Sequence, residues 1–201
     1  MLRLYDFLPS GNGYKVRLLL TQLGIPFERV ELNILKGETR TPEYLSKNPN
    51  GMIPLLETEA GQILAESNAI LFYLSQQTDF LPNDRFLQAQ VLQWLFFEQY
   101  SHEPYIATSR FWISILGKSE EYRNALEQKR QSGYAALTVM ENHLTTHTFF
   151  VYEHYTIADI SLFAYTHVAH EGGFDLTNFP AIQAWLERVK AQPRHISIMQ
   201  N

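Results

Sequence analysis

Residues 48–70 read NPNGMIPLLETEAGQILAESNAI, and this stretch decides the fold of the first part of the chain. The Asn-Gly pair at 50–51 and the Ala-Gly pair at 60–61 are turn signals, and the apolar run after each pair predicts a short strand. A helical pattern follows over 67–76. The stretch therefore predicts a β-hairpin that leads directly into a helix.

Upstream of this stretch, strand and helix patterns alternate. Strands are predicted at 2–7 and 27–32, and helices at 14–23 and from Thr41-Pro42 onward. A turn-rich loop over 9–13 separates the first strand from the first helix. The order β-α-β-α-β-β-α over residues 1–76 fits a thioredoxin-like α/β domain.

The remainder of the chain predicts helices only. Residues 77–84 have the composition of a linker, and residues 85–201 are predicted to form an all-helical bundle domain. Apolar side chains recur at helical spacing over 85–105, 122–144, 157–170 and 181–191. The chain is therefore predicted to contain one α/β domain and one all-α domain.

Composition excludes several classes of protein. The 201 residues include no cysteine, which excludes disulfides, thiolate metal sites and the protein-thiol chemistry of thioredoxins. The net charge is −5 and no basic tract occurs, so neither a nucleic acid nor a membrane is an expected partner. No apolar run predicts a signal peptide or a membrane span, and we expect a cytoplasmic protein. Two histidine pairs lack a third ligand, so no metal is expected.

The loop before the first predicted helix reads Ser10-Gly11-Asn12-Gly13. A helix N-terminus presents N–H groups and the positive end of the helix dipole, which stabilise a bound thiolate or other anion. One hydroxyl hydrogen bond together with the helix end would lower the pKa of a bound thiol from ~8.5 by about two units. The alternative is that Ser10 or Asn12 only caps the helix.

Two further motifs suit a peptide-like ligand. The bond between Ile53 and Pro54 is a candidate cis peptide, which would turn the main chain of Ile53 outward to pair with an extended ligand. The alternative is a trans proline at the start of a strand. Glu66 and Ser67 place an acid beside a helix-capping hydroxyl, which suits the two charges of an amino-acid head group. The alternative there is plain capping beside a solvated glutamate.

A fourth motif precedes the apolar pattern at 157–170. Thr156 and Asp159 have the spacing of a capping box, in which each side chain binds the other residue's main-chain N–H. We interpret Asp159 as a residue of folding and stability, with no part in catalysis.

In their order and spacing, these four motifs resemble the cytosolic glutathione transferase family, and the resemblance covers nearly the whole chain. It implies that Ile53, with Pro54 cis, binds the cysteinyl main chain of glutathione. It implies that Glu66 and Ser67 hold the γ-glutamyl head, and that Lys36 pairs with the glycine carboxylate.

The resemblance also implies a group that stabilises the glutathione thiolate. Ser10 corresponds to the hydroxyl of the serine-type classes, and Asn12 is the alternative because an amide N–H₂ can also donate to a thiolate. The chain departs here from the many bacterial members that carry a cysteine or a tyrosine near the first helix. Ser10 ranks first and Asn12 second.

The implied function is conjugation of glutathione, as co-substrate, to small apolar electrophiles by a homodimer that needs no bound cofactor. Tyr105, Arg110 and Phe111 are candidates for the second-substrate pocket in the helical domain. One alternative is a glutathione-dependent reductase of disulfides or peroxides that uses two glutathione molecules. Another is a non-catalytic interaction module with the fold of a transferase.

Overall fold

The computed structural model describes residues 1–200, which form two compact units. The first unit consists of residues 1–76 together with the segment from Pro193 onward, and the second unit is Gln77–Gln192. This division differs from the sequence-based one at two places. The predicted linker lies within the second unit, and the end of the chain belongs to the first unit.

A four-stranded mixed sheet forms the centre of the first unit. Its strands are β1 (Leu2–Asp6), β2 (Phe27–Glu31), β3 (Leu55–Glu57) and β4 (Ile63–Ala65). They lie in the order β2-β1-β3-β4, with β1 and β2 parallel and the other two pairs antiparallel. Leu4 of β1 and Leu56 of β3 are register partners, and both are fully buried.

Three α-helices complete the first unit in the predicted order β-α-β-α-β-β-α. They are α1 (Gly11–Leu23), α2 (Pro42–Lys47) and α3 (Ser67–Leu74). Gly24 ends α1 in the left-handed conformation, with φ 69°, which glycine adopts without strain. The Thr41 side chain caps α2, and proline occupies the first turn of that helix, as the sequence predicts.

Two helix starts differ from the prediction. Helix α1 begins at Gly11 and not at residue 14, because Ser10 supplies the cap three residues earlier than the apolar pattern indicates. Ser67 was expected to cap α3, but it is the first helical residue, and Glu66 occupies the cap position without a side-chain capping bond. Both differences lie at the motifs assigned to ligand binding.

The second unit is built from helices, as predicted. They are α4 (Arg85–Phe97), α5 (Glu103–Arg110), α6 (Arg123–Leu144), α7 (Ile157–Thr166) and α8 (Pro180–Lys190). A π-helical segment over Glu98–His102 joins α4 to α5, and a second one over Phe111–Ile115 extends α5. No helix within residues 1–200 is long and apolar enough to cross a membrane.

Helix α7 is the buried centre of the second unit, since all ten of its residues are buried. The predicted capping box is present: Thr156 accepts from the N–H of Ala158 at 3.2 Å, and Asp159 accepts from that of Thr156 at 2.9 Å. Asp159 also accepts from the N–H of Phe150 at 3.2 Å and from the indole of Trp185 at 2.9 Å. Asp159 therefore ties three parts of this unit together.

Helix α1 is anchored by a buried ion pair and by the end of the chain. The Arg17 guanidinium lies 2.8 Å from the carboxylate of Asp6, and both side chains are fully buried. Arg17 also donates to the carbonyl of Ile198 at 2.9 Å, and the Tyr14 hydroxyl donates to that of Ile196 at 2.7 Å. These bonds explain why the final segment groups with the first unit.

Candidate functional site

The start of α1 contains both residues predicted to face a thiol. Ser10 is the N-cap, and its Oγ accepts a hydrogen bond from the N–H of Gly13 at 3.2 Å. Within residues 1–200, no group accepts from the Ser10 hydroxyl or from the main-chain N–H of Gly11. Capping therefore occupies the Ser10 oxygen and leaves donors at the helix start for an anion.

The carboxylate of Asp6, the last residue of β1, packs directly against Gly13. A Cβ atom at position 13 would overlap the Asp6 carboxylate, so the close approach requires glycine. The carboxylate accepts from the N–H of Phe7 at 2.7 Å and pairs with Arg17. Burial raises the pKa of Asp6 to about 6, and the charge of Arg17 opposes the rise. This pair fixes the start of α1 against the end of β1.

A chain of hydrogen bonds joins the start of α1 to the start of α3. The Lys15 ammonium donates to Ser67 Oγ at 3.3 Å, and the Ser67 hydroxyl donates to Asn12 Oδ1 at 3.3 Å. Lys15 is fully buried, and Ser67 is only 4% exposed. The structure therefore brings together Asn12 and Ser67, which were predicted to act at different parts of one ligand.

The peptide bond between Ile53 and Pro54 is cis. The carbonyl of the preceding residue, Met52, accepts from the Tyr44 hydroxyl at 2.7 Å and from the Asn48 amide at 2.9 Å. The main-chain N–H and C=O of Ile53 have no hydrogen-bond partner among residues 1–200. Those two groups are the ones that an extended peptide ligand would need.

Glu66 connects β4 to α3 with an unusual backbone. Its φ of 70° and ψ of 115° lie in a region that non-glycine residues rarely occupy, at a cost of about 1–3 kcal/mol. Such strain occurs most often at ligand sites, where the surrounding structure holds it in place. The side chain is exposed, so the carboxylate is open to an ammonium group in solution.

The structure does not bring Lys36 to a partner. Lys36 ends a 3₁₀ turn over Ile34–Lys36, and its side chain is exposed without an ion pair to any residue in 1–200. Its role toward the glycine carboxylate thus stays a prediction. A neighbouring cation, Arg40, instead donates to the carbonyl of Asn50 at 2.9 Å.

The three candidates for the second-substrate pocket lie on α5 and at the start of the π-helical segment after it. Arg110 is 5% exposed and pairs with Glu171 at 2.7 Å, which fastens α5 to the 3₁₀ turn at 169–172. Tyr105 is half-buried, with the Lys129 ammonium 5.7 Å from its ring centroid. Phe111 is also half-buried, so both rings offer apolar surface whereas Arg110 is engaged in packing.

Sequence reasoning missed Lys15 and the pairing of Asp6 with Arg17. A signal was present: Lys15 and Arg17 stand inside an α1 segment whose other members are apolar, and such cations need buried partners. Their partners could not be assigned, because Ser67 lies 52 positions away from Lys15. Within residues 1–200, no group of three His, Asp or Glu side chains is placed to hold a metal ion.

Two family models together cover most of the chain. The model described as glutathione S-transferase, N-terminal domain matches residues 1–76, and the model of the C-terminal domain of the same family matches residues 91–193. The first match spans the α/β part of the structure, and the second begins within α4 and covers most of the all-helical part.

Individual proteins are also similar over nearly the full length. The crystal structure of a glutathione S-transferase from Pseudomonas fluorescens Pf-5 is 52% identical, with a TM-score of 0.97 and coverage of 99% of each chain. The glutathione transferase URE2P6 from Phanerochaete chrysosporium, solved in complex with oxidized glutathione, is 30% identical, with a TM-score of 0.84 and coverage of 96% and 92%. Among curated proteins, disulfide-bond oxidoreductase YfcG from Escherichia coli strain K12 is 28% identical over 200 residues, covering 96% and 92%.

Proposed function

The chain belongs to the glutathione S-transferase family, and on that premise we propose that it ionises the thiol of glutathione and joins the sulfur to small apolar electrophiles. The observation that carries this proposal is the hydrogen bond between Ser67 and Asn12. This bond supports the proposal because Ser67, the candidate for the head group, and Asn12, a candidate donor to the thiolate, lie next to each other, as one bound tripeptide requires.

The first unit offers one group for each part of glutathione. The free main chain of Ile53 pairs with the cysteinyl residue, as an added strand would. The Glu66 carboxylate accepts from the γ-glutamyl ammonium group, and the start of α3 at Ser67 holds the carboxylate of the same head. Lys36 pairs with the glycine carboxylate at the other end.

The chemistry is nucleophilic attack by a thiolate that the ligand supplies, since the protein contains no cysteine. The glutathione thiol gives its proton to solvent, the sulfur lone pair forms a bond to the electrophilic carbon, and the leaving group departs with its bonding electrons. Donation from Asn12 or Ser10 and the helix end lower the thiol pKa from ~8.5 to about 6.5, so the thiolate prevails at neutral pH. Proximity of the two substrates supplies much of the remaining rate.

The helical unit supplies the surface for the second substrate in this proposal. Tyr105 and Phe111 offer half-buried aromatic faces, and flat apolar electrophiles stack well on such faces. Arg110 acts through its ion pair with Glu171, which fixes the position of α5.

We place the protein in the cytoplasm as a homodimer, without a nucleic-acid or membrane partner. Phe86, Phe96 and Tyr100 are 69%, 70% and 82% exposed and lie on α4 and on the π-helical segment after it. Exposed aromatic side chains of this size are typical of interaction surfaces, and a second copy of the chain would cover them. Phe96→Glu should halve the molecular mass measured by light scattering, and an unchanged mass would place the dimer contact elsewhere.

The similarity to the disulfide-bond oxidoreductase favours a second candidate function. A glutathione thiolate attacks a disulfide and releases one thiol, and a second glutathione attacks the mixed disulfide and releases the other thiol with glutathione disulfide. Without a protein cysteine, both glutathione molecules must bind in the same region.

One set of measurements separates these functions. Calorimetric titration with glutathione should give one molecule per chain, and an aryl halide should be conjugated faster than a small dialkyl disulfide is reduced. Asn12→Ala or Ser10→Ala should lower the conjugation rate about tenfold, by loss of one charged hydrogen bond. Thr156→Ala is the matched control, because it removes a helix cap from the second unit. Two molecules per chain and faster disulfide reduction would favour the reductase, and no binding at all would leave a non-catalytic module.

A further inference from the structure

Residues 196–200 pack against α1 in the first unit and present main-chain carbonyl groups to it. The Arg17 guanidinium donates to the carbonyl of Ile198 at 2.9 Å and to that of Gln200 at 2.7 Å. The side chains of Ile196 and Ile198 are only 7% and 8% exposed, so their burial anchors this segment. The 196–200 segment thus supplies two acceptors to a cation of the first helix.

Arg17 also binds the loop that leads into α1. Its guanidinium donates to the carbonyl of Leu8 at 2.8 Å and to the carboxylate of Asp6 at 2.8 Å. That carboxylate accepts from the N–H of Phe7 at 2.7 Å and packs against Gly13 in the first turn of the helix. One side chain therefore joins the 196–200 segment both to the loop and to the helix start.

The Arg17 side chain is fully buried, so a lost acceptor cannot simply be replaced by bulk water. A buried donor left without an acceptor carries the full free-energy cost of its desolvation, and the side chain must then move or admit water. The guanidinium is planar and its donors have a fixed fork geometry. A movement that answers the loss of one carbonyl therefore also shifts the bonds to Leu8 and Asp6.

We propose that the 196–200 segment is a positioning element of the glutathione site, which acts through Arg17 to hold the loop that carries Ser10 and the start of α1 in the geometry that stabilises the thiolate. This inference rests on the proposed binding of glutathione, and it extends the site to carbonyls 181 and 183 positions away from Arg17. Hydrogen bonds weaken steeply with poor alignment, so a small displacement of the helix start raises the pKa of a bound thiol.

The test follows thiolate absorbance against pH in the full chain saturated with glutathione. Ile196→Ala/Ile198→Ala removes the apolar anchors of the segment, and it should raise the apparent pKa of the bound thiol by about half a unit, or about threefold in the ratio of thiolate to thiol. Arg17→Lys keeps the positive charge but loses the planar fork, and it should raise the pKa by about one unit, or about tenfold. The triple variant should match Arg17→Lys alone, because both changes act through one guanidinium.

Two controls separate positioning from a general loss of stability. Met199→Ala changes a side chain of the same segment that is 58% exposed and leaves the carbonyls in place, so it should not move the thiol pKa. Val189→Ala, at a fully buried position of α8 in the second unit, should lower the melting temperature and also leave the thiol pKa unchanged.

Three results would overturn the proposal. They are an unchanged thiol pKa in Ile196→Ala/Ile198→Ala, shifts that add in the triple variant, and a shift of the same size in Val189→Ala. If Arg17→Lys does not fold, the isoleucine variant tests the same contact with Arg17 in place. Failure of the wild-type protein to bind glutathione would instead refute the proposed function.

Discussion

The starts of α1 and α7 use the same residue types and reach opposite results. Each has a hydroxyl side chain as N-cap and a fully buried aspartate whose pKa burial raises to about 6. At α7 the aspartate belongs to the helix itself, so Thr156 and Asp159 satisfy each other's main-chain N–H groups. At α1 the aspartate is Asp6 of β1, and it binds Arg17 and leaves Ser10 with a single capping bond.

The two helix starts differ in whether all of their main-chain N–H groups have acceptors. At α7 the first helical N–H, that of Ile157, donates to the carbonyl of Phe80 at 3.0 Å, so the helix start is closed to solvent ligands. At α1 the corresponding N–H, that of Gly11, has no acceptor within residues 1–200. The same capping chemistry thus yields a structural joint where every donor is satisfied, and a candidate anion site where some donors remain.

The largest expected effect comes from breaking the closed start. Asp159→Ala should lower the free energy of unfolding by about 3–5 kcal/mol, because the N–H groups of Phe150, Thr156 and Trp185 would be buried without an acceptor. Urea unfolding measures the change. Asp175→Ala, at an exposed aspartate, is the control and should cost less than about 1 kcal/mol. If Asp159→Ala lowered the free energy of unfolding no more than Asp175→Ala does, the hydrogen bonds of Asp159 at the start of α7 would not be stabilising.

A smaller effect concerns pH and the same carboxyl group. Burial raises the pKa of Asp159 from 3.8 to about 6, so the folded protein binds this proton more tightly than the unfolded chain does. The resulting stabilisation is complete below about pH 4 and is lost as the pH rises through about 6, with a total of about 3 kcal/mol. Unfolding free energies of the wild type should therefore decline over this window, and Asp159→Asn should decline less. Parallel curves for the two proteins would contradict the assignment.

The smallest effect compares the two caps directly. Ser10→Ala and Thr156→Ala should each cost about 1 kcal/mol of stability, as losses of N-caps generally do. Only Ser10→Ala should also alter thiol ionisation in bound glutathione, because only the start of α1 is a candidate anion site. A pH titration of thiolate absorbance in the two variants checks this difference. A change of equal size in Thr156→Ala would mean that the two helix starts do not differ in function.

Much of the fold was predictable because its signals are local. The turn pair at 50–51 precedes β3 and the pair at 60–61 lies between β3 and β4, as predicted, and the capping box at Thr156 and Asp159 forms as its spacing indicates. The helix predicted over 85–105 continues through π-helical segments to Ile115, since periodicity does not register a change in hydrogen-bond pattern. The start of α1 was misplaced because Gly11 and Asn12 have low helix propensity, which the Ser10 cap overcomes.

The candidate site was only partly predictable. Ile53 and Glu66 could be proposed from the sequence because their motifs place a distinctive residue next to a turn or a helix start. Lys15 was missed because a lysine in a helix is normally solvated, and only burial marks this one as unusual. Arg17 was missed for the same reason, and its pairing with Asp6 at the end of β1 was not recognised.

By itself, the sequence determined the order of strands and helices, the absence of a protein thiol and the residue types available to hold an anion. These follow from side-chain periodicity, turn chemistry and composition, which need no knowledge of distant contacts. Only the tertiary structure decided that Ser67 meets both Lys15 and Asn12, and that the final segment packs on α1. Those contacts join residues 52 and more positions apart, and burial, not local propensity, selects their partners.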